Sequence, residues 1–361
     1  MRNDKISMRQ LMTIAFVSVL APSIQLIPET VVNYGGSASW LAPLAAVIPV
    51  GFLVWLFCRL MGAMKEGEGL TQLMTRVLGT FLGKLVAIAY AVWFLVYAGL
   101  MLRSTGERFL STIYDNGNLN VFIIITLLLV IIGASGHLKS LARSSGVFVI
   151  FISILLVIIF LFAIPEINTE NLLPVTYLDT KPILTASLSV IHVISPFAYL
   201  AFLGGGVKKD PKPVKTVSRW IGLLMIIIML LLVTTIGTFG EVLAGRIQNT
   251  FFAMIRNITI FDIIERIESE VVAIWVVTDF VFLSFLVMSS SEILRVVTVR
   301  EKRKGFVWLC AGAVLLISFL AAPNAFVLTD LLERLVPIIN LSAVFGGLTL
   351  IFIVGKLRRK L

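Results

Sequence analysis

Few side chains in this sequence are of a type and spacing that supports catalysis. The chain has two histidines among its 361 residues, no repeated metal-ligand spacing, and no nucleophile with a base beside it. Its two cysteines, Cys58 and Cys310, fall inside apolar segments, where cysteine behaves as a small hydrophobe. We therefore expect no enzyme activity, no cofactor, no metal site and no disulfide.

Two ionisable residues inside long apolar segments are the first candidates for function. Asp279 lies about nine residues into its segment, roughly 13 Å deep at the helical rise. An ionised carboxylate is unfavourable there, so we expect it to face the interior of a helix bundle. It would contact a cation or amine, couple to a proton, or serve as a structural carboxyl paired with a serine or the backbone. His192, in the middle of another segment, is a weaker candidate for such a role.

Prolines interrupt two of the apolar segments near mid-depth. The first segment carries Ala21-Pro22-Ser23, followed by Pro28, and a later one carries Ser195-Pro196-Phe197. Proline removes a backbone donor, and backbone groups freed at membrane depth persist only where they line a cavity or meet a ligand. The interruptions therefore predict a binding site, and the alternative is a pair of ordinary proline kinks.

Small polar and adaptable apolar side chains on two other segments complete the predicted cavity. A cavity with small polar atoms and few charges suits a zwitterion such as an amino acid, whose carboxylate would meet exposed amides at the first interruption. Taken alone, each residue is explained as well or better by helix packing. The predicted ligand contacts are Pro22, Ser23, Tyr97, Met101, Ser195, Phe197, Ser284 and Met288, with Asp279 and His192 as possible coupling or ligand contacts.

The segments that position these residues are long enough to span a membrane. Hydrophobic residues make up 58% of the chain, the mean hydropathy is +1.02, and only 14% of residues are charged, which is typical of a polytopic membrane protein. A spanning helix needs about 20 apolar residues. We predict ten spans, at 10–33, 38–62, 85–109, 120–137, 145–164, 183–206, 217–240, 271–294, 306–322 and 334–355.

Basic residues are distributed unevenly between the connections. The two termini and every second connection hold 22 of the 30 lysines and arginines, all on one side of the membrane. Because cytoplasmic loops retain cations, we expect both termini to be cytoplasmic. The net charge of +10 is therefore a topology signal, and binding to nucleic acid is not expected.

The spans divide into two groups of five, at 10–164 and 183–355. An odd number of helices gives the halves opposite orientations, as an inverted repeat requires, and each half opens with a proline-interrupted helix. We predict an all-α polytopic membrane protein with a single transmembrane domain over 1–361. Its predicted fold is a LeuT-like 5+5 inverted repeat with broken helices 1 and 6. Between spans 7 and 8, residues 251–268 repeat apolar side chains at helical spacing, which predicts an outer amphipathic helix.

Two sequence stretches resemble a known family. Gly35-Gly36-Ser37-Ala38-Ser39-Trp40-Leu41, after the interrupted first helix, is similar to a glycine-to-tryptophan segment that opens span 2 in that family. Glu265-Arg266-Ile267-Glu268, followed by Ile274-Trp275-Val276, is similar to its acidic–Arg–aliphatic–Glu segment and later tryptophan. With the ten-span plan and basic tail, the chain resembles the B subunits of GerA-type spore germinant receptors. These are the endospore germination permeases of the amino acid–polyamine–organocation superfamily.

This resemblance implies a location, partners and a role. The protein would lie in the spore inner membrane, in contact with the lipid bilayer, and would work with a receptor A subunit and a lipoprotein C subunit. It would bind a small-molecule nutrient, an amino acid such as L-alanine, and trigger germination through those partners. The alternative is a proton- or sodium-coupled amino acid transporter, which shares the fold.

Overall fold

The computed structural model places helical structure over each predicted span. It describes residues 5–112, 117–247, 249–257, 268–300 and 303–361, and within these the side chains of 112 and 268–271 are left aside. Seven continuous helical segments of the described chain are long and apolar enough to cross a membrane, and the first, Met8–Ala63, contains two predicted spans. Leu119–Ser135 and Lys304–Leu320 are shorter apolar helices. The number of crossings stays a prediction.

The first half of the chain builds the helices of the first five predicted spans and one short helix between the second and third spans. These elements are α1 (Met8–Gly35), a 3-10 turn (Gly36–Leu41), α2 (Ala42–Ala45), α3 (Val47–Ala63), α4 (Leu70–Leu78), α5 (Thr80–Thr112), α6 (Leu119–Ser135) and α7 (Leu138–Ala163).

The second half departs more often from regular α-helix. After 3-10 turns at Ile164–Glu166, Thr169–Leu172 and Tyr177–Asp179, its elements are α8 (Thr180–Ile194), a 3-10 helix (Ser195–Gly206), α9 (Pro213–Ala244), α10 (Thr250–Asn257), α11 (Glu268–Val297), α12 (Lys304–Leu320), α13 (Ala325–Asp330), a π-helical turn (Leu331–Leu335), α14 (Val336–Leu341), a second π-helical segment (Ser342–Leu348) and α15 (Thr349–Leu357). Helix α10 forms the start of the predicted amphipathic helix, and residues 258–267 lie outside the described chain.

Helix α1 lies at the centre of the bundle. It is apolar around its whole circumference, and 22 of its 28 residues are buried, as expected for a helix enclosed by others. Its start is set by Ser7, whose hydroxyl accepts from the Gln10 amide while the Gln10 side chain accepts from the Ser7 amide. Helices α7, α8, α9 and α11 pack around it.

The structure differs from the sequence prediction in the first span. The chain stays helical through Pro22 and Pro28, whereas a break near Pro22 was expected. A proline removes one helical hydrogen bond, but enclosing helices hold the rest of the turn in place. Pro22 is thus an interruption of the hydrogen-bond ladder inside a continuous helix.

The sixth span changes geometry where the sequence predicts. Helix α8 ends at Ile194 and continues as a 3-10 helix of 12 residues, much longer than the usual three or four. Pro196 has no amide hydrogen to donate to the His192 carbonyl. The Ser195 hydroxyl donates to that carbonyl instead, at 2.9 Å. Ser195 through Gly204 are all buried, so the altered segment lies inside the bundle.

Both ends of the chain are tied to the end of the bundle that carries the basic connections. Ile6 forms a parallel β-bridge with Val207, through hydrogen bonds of 2.9 Å to Gly206 and 2.8 Å from Lys208. Lys5 pairs with Glu66 at 2.7 Å, which lowers the pKa of the exposed Glu66 carboxyl. At the C-terminus, Lys360 donates to the Arg76 carbonyl. We call this the basic end and the other the opposite end.

Ser195→Ala tests the role of the hydroxyl at the proline. The change leaves the buried His192 carbonyl without its donor, and we expect a loss of about 1–3 kcal/mol in the free energy of unfolding. Thermal unfolding in detergent measures it. Ser187→Ala is the control, because the Ser187 hydroxyl bonds the Leu184 carbonyl, and the residue four positions after Leu184 is Leu188, which has an amide hydrogen. Equal loss in both variants would contradict this account.

Candidate functional site

The predicted ligand contacts lie inside the bundle and are buried. All eight residues are buried, and Ser23, Tyr97, Ser195, Ser284 and Met288 are fully enclosed. Helix α1 contributes Pro22 and Ser23, α5 contributes Tyr97 and Met101, the 3-10 helix contributes Ser195 and Phe197, and α11 contributes Ser284 and Met288. These residues are close-packed in the structure.

Tyr97 is the centre of a polar and aromatic cluster. Its ring stacks on Trp93 at 5.7 Å and meets Phe282 of α11 edge-on at 5.2 Å. Asn340 of α14 accepts hydrogen bonds of 3.0 Å from Trp93 Nε1 and from the Tyr199 hydroxyl. The cluster thereby joins α5, α14 and the 3-10 helix. We name Trp93, Tyr97, Tyr199 and Asn340 the central cluster.

Two polar groups of the central cluster lack a satisfactory hydrogen bond. The Tyr97 hydroxyl interacts with Asn340, but neither that hydroxyl nor Asn340 Nδ2 makes a bond of good geometry within the described chain. Buried polar atoms in folded proteins are nearly always paired with protein, water or ligand. A donor and an acceptor side by side in an aromatic wall suit a small polar molecule.

The structure does not bring all the predicted contacts to this cluster. Ser284 packs against Gly133 of α6, where there is no room for a Cβ, so its hydroxyl faces the fourth span. Phe197 packs edge-on against Phe57 of α3 at 5.5 Å. The hydroxyl of Ser23 donates to the Val19 carbonyl at 2.6 Å. Their direct contact with a ligand stays a prediction.

Asp279 has a partner that the sequence analysis missed. Its Oδ2 accepts from Arg108 at 2.8 Å and from the Thr105 hydroxyl at 2.9 Å, and all three side chains are buried. The Arg108 guanidinium lies over the Trp275 ring at 4.9 Å. The carboxylate is therefore held by a cation and ties α5 to α11. Because Arg108 lies within a predicted span, intramembrane charge was a signal that could have identified it.

A cavity of about 130 Å³ opens near this pair, toward the opposite end. Its polar wall includes Gln25, Glu29, Arg108 and Glu333. Gln25 donates to Ser104 of α5, and its Oε1 has no partner in the described chain. On the same wall, Glu107 binds Arg103 at 2.9 Å, the pair that their i, i+4 spacing favours.

His192 lies beside a second, smaller cavity of about 60 Å³. The residue is 2% exposed, and Thr30, Asn33 and Glu333 line the same cavity. The cavity adjoins the first one along Leu26, Leu332 and Glu333. In contrast, His137 is exposed at the start of α7.

Comparison with known proteins identifies a family and a fold. A family model described as Spore germination protein matches residues 5–326, and a search among curated proteins finds no match. Similar solved structures include Mhp1, a nucleobase-cation-symport-1 family transporter in a closed conformation with bromovinylhydantoin bound. The alignment has a TM-score of 0.66 and 13% sequence identity, and it covers 92% of this chain and 75% of the Mhp1 chain.

Two further solved structures share the architecture. One is the substrate-bound outward-open state of a Na⁺-coupled sialic acid symporter, with a TM-score of 0.71 and 10% identity over 98% of this chain and 79% of that one. The other is MhsT in complex with L-phenylalanine, with a TM-score of 0.65 and 14% identity over 95% and 90%. At these identities the likeness concerns the fold alone. It confirms the predicted all-α, LeuT-like fold class.

The Arg108–Asp279 pair gives a stability prediction. Removing one partner of a buried ion pair leaves the other charge buried without compensation. We therefore expect Arg108→Gln to lower the free energy of unfolding by about 3–5 kcal/mol. The double variant Arg108→Gln, Asp279→Asn should lose less than the sum of the single losses. Thermal unfolding of the purified variants measures both. Arg103→Gln, which breaks a more exposed pair, is the control, with about 1 kcal/mol or less expected.

Proposed function

The chain belongs to the spore germination protein family, and from that premise we propose that it is the nutrient-sensing B subunit of a spore germinant receptor. It is an integral membrane protein with a transporter-type fold. The proposed ligand is a small amino acid such as L-alanine, bound at mid-depth between spans 1, 3, 6 and 8.

The observation that carries this proposal is the unsatisfied pair in the central cluster. The Tyr97 hydroxyl and Asn340 Nδ2 lie buried beside stacked aromatic rings, without a hydrogen bond of good geometry in the described chain. These two groups interact with each other in poor geometry, and a small polar ligand between them would offer each a better aligned partner. This position adjoins the predicted site through spans 3 and 6 and adds span 10. Solved structures of the same fold hold small molecules, since MhsT is in complex with L-phenylalanine and Mhp1 has bromovinylhydantoin bound.

Binding at this site requires a movement, because the residues around it are close-packed. The buried 3-10 helix Ser195–Gly206 is the natural hinge, since 3-10 geometry exchanges with α-helix through small backbone changes. A ligand shifts such an equilibrium only by binding one state more tightly. We propose that occupancy shifts spans 1 and 6, and that an A subunit and a lipoprotein C subunit sense the changed surface.

The proposed location is the spore inner membrane, with both termini cytoplasmic. The distribution of basic residues supports this orientation, because the end of the bundle that carries both chain termini also carries Lys5, Arg76 and Lys360. We propose that the whole chain acts as a single transmembrane domain, with halves 10–164 and 183–355.

A proton- or sodium-coupled amino acid transporter is the second candidate. The fold likeness to a Na⁺-coupled sialic acid symporter favours it, although the identity is 10%. Sensor and transporter differ in substrate flux, and the fold does not distinguish them.

Tyr97→Phe tests the proposed site. The variant should keep or slightly raise the unfolding temperature without ligand, because the hydroxyl it removes is poorly bonded. Its affinity for the nutrient should fall by about tenfold, the loss of one hydrogen bond. The measurement is a thermal-shift titration of the purified protein with a panel of small amino acids.

Tyr90→Phe is the matched control for this test. The Tyr90 hydroxyl donates to the Ala343 carbonyl at 2.6 Å, so its loss should lower stability by about 1 kcal/mol and leave nutrient affinity unchanged. If Tyr97→Phe binds the nutrient as tightly as the wild type, the site assignment is wrong.

A further inference from the structure

Two carboxyl groups near the opposite end make no ion pair or side-chain hydrogen bond in the described chain. Glu29 of α1 and Glu333 of the π-helical turn both line the 130 Å³ cavity, and Glu333 acts electrostatically on Glu29. The cations nearby are engaged elsewhere: Arg334, which attracts Glu333, pairs with Asp330 at 2.8 Å, and Arg108, on the cavity wall, pairs with Asp279. Glu107 on the same wall differs, because Arg103 neutralises it. Like charges that share a cavity repel each other, and a cation between them removes the repulsion.

An independent observation places a third acceptor on a cavity that Glu333 also lines. His192 lines the adjoining cavity together with Glu333, and both of its ring nitrogens lack a hydrogen bond of good geometry in the described chain. One nitrogen lies near the Ser189 carbonyl of its own helix. In a neutral imidazole this orientation leaves the other nitrogen as an acceptor.

These three acceptors match an organic ammonium group better than a metal ion. An ammonium has several N–H donors, which carboxylate oxygens and an imidazole nitrogen accept equally well. Alkali and alkaline-earth ions prefer a shell made of oxygen. Within the described residues, no three His, Cys, Asp or Glu side chains converge closely enough to enclose a metal ion, so an ammonium group would meet the carboxylates and the imidazole in turn along the two adjoining cavities.

The size and position of the space fit a small amine on its way inward. At about 30 Å³ per water, a cavity of about 130 Å³ holds the volume of about four waters. Glu29 lies six residues after Ser23 on α1, about 9 Å farther toward the opposite end. His192 lies three residues before Ser195 on the sixth span. The cavities therefore lie on the outer side of the predicted binding site.

We infer that Glu29, Glu333 and His192 form an entrance subsite that binds the primary ammonium group of the nutrient before it reaches the central cluster. This inference rests on the proposed function for the identity of the nutrient, but the subsite has its own chemistry. It selects ligands by their ammonium group and admits neutral or anionic analogues poorly.

Methylammonium tests the subsite without the nutrient. Methylammonium chloride should raise the unfolding temperature of the purified wild-type protein, and sodium chloride at equal concentration should not. Glu29→Gln and Glu333→Gln should each weaken this effect by about tenfold. Both variants should fold, because each removes a charge from a repelling pair. Glu107→Gln lines the same cavity and should retain the wild-type response.

His192→Leu provides a second variant that leaves the carboxylates in place. It should weaken methylammonium binding severalfold. Equal stabilisation by sodium, or an undiminished methylammonium response in both Gln variants, would overturn the subsite.

A comparison of L-alanine with propionate separates the subsite from the proposed function. L-Alanine binding that falls in Glu333→Gln, with propionate binding weakly to both proteins, supports both proposals. L-Alanine binding that is equal in wild type and Gln variants overturns the subsite and leaves the proposed function intact. If methylammonium binds as described while no amino acid binds the wild type, the subsite stands and the proposed function fails.

Discussion

Backbone amides and carbonyls in the apolar interior of this bundle must find partners within the protein, because lipid offers none. Regular α-helix meets this requirement, and most of the described chain adopts it. The exceptions are therefore informative. At Pro196 the Ser195 hydroxyl replaces the missing amide donor, and the chain continues as an unusually long 3-10 helix. In the last span, π-helical turns flank α14, which carries Asn340 of the central cluster.

The same constraint sorts the buried polar side chains into two kinds. Arg108 and Asp279 neutralise each other's charge through Asp279 Oδ2, so this pair fixes α5 against α11 and supports the fold, while Asp279 Oδ1 has no hydrogen bond within the described chain. Tyr97, Asn340 Nδ2 and His192 are enclosed without good partners in the described chain. An unsatisfied buried group is unfavourable, and a protein that retains several of them gains the corresponding free energy when a ligand supplies the bonds. A site of this kind suits a sensor, because the hydrogen bonds that form on ligand binding also stabilise the rearranged state of the protein.

The sequence predicts the apolar helices well, because about 20 consecutive apolar residues have few alternatives to a membrane helix, while the number of crossings stays a prediction. It also identifies the change of geometry at Pro196, where a missing donor has a local effect. It does not reveal which helix a side chain faces. Ser284 meets Gly133 of the fourth span, and Asp279 meets Arg108 from 171 residues away, and neither contact follows from periodicity. Pro22 stays within a continuous helix because the enclosing helices outweigh the local preference. Asn340 and Glu29 lie within predicted spans, where a polar side chain is itself a signal.

Substrate flux without partner subunits tests the central claim most directly. The purified protein would be reconstituted in liposomes, and uptake of a radiolabelled amino acid that stabilises it would be measured with and without proton and sodium gradients. The sensor account predicts an amino acid that raises the unfolding temperature but is not accumulated under either gradient. Gradient-driven accumulation of that amino acid would contradict the account and make the protein a transporter.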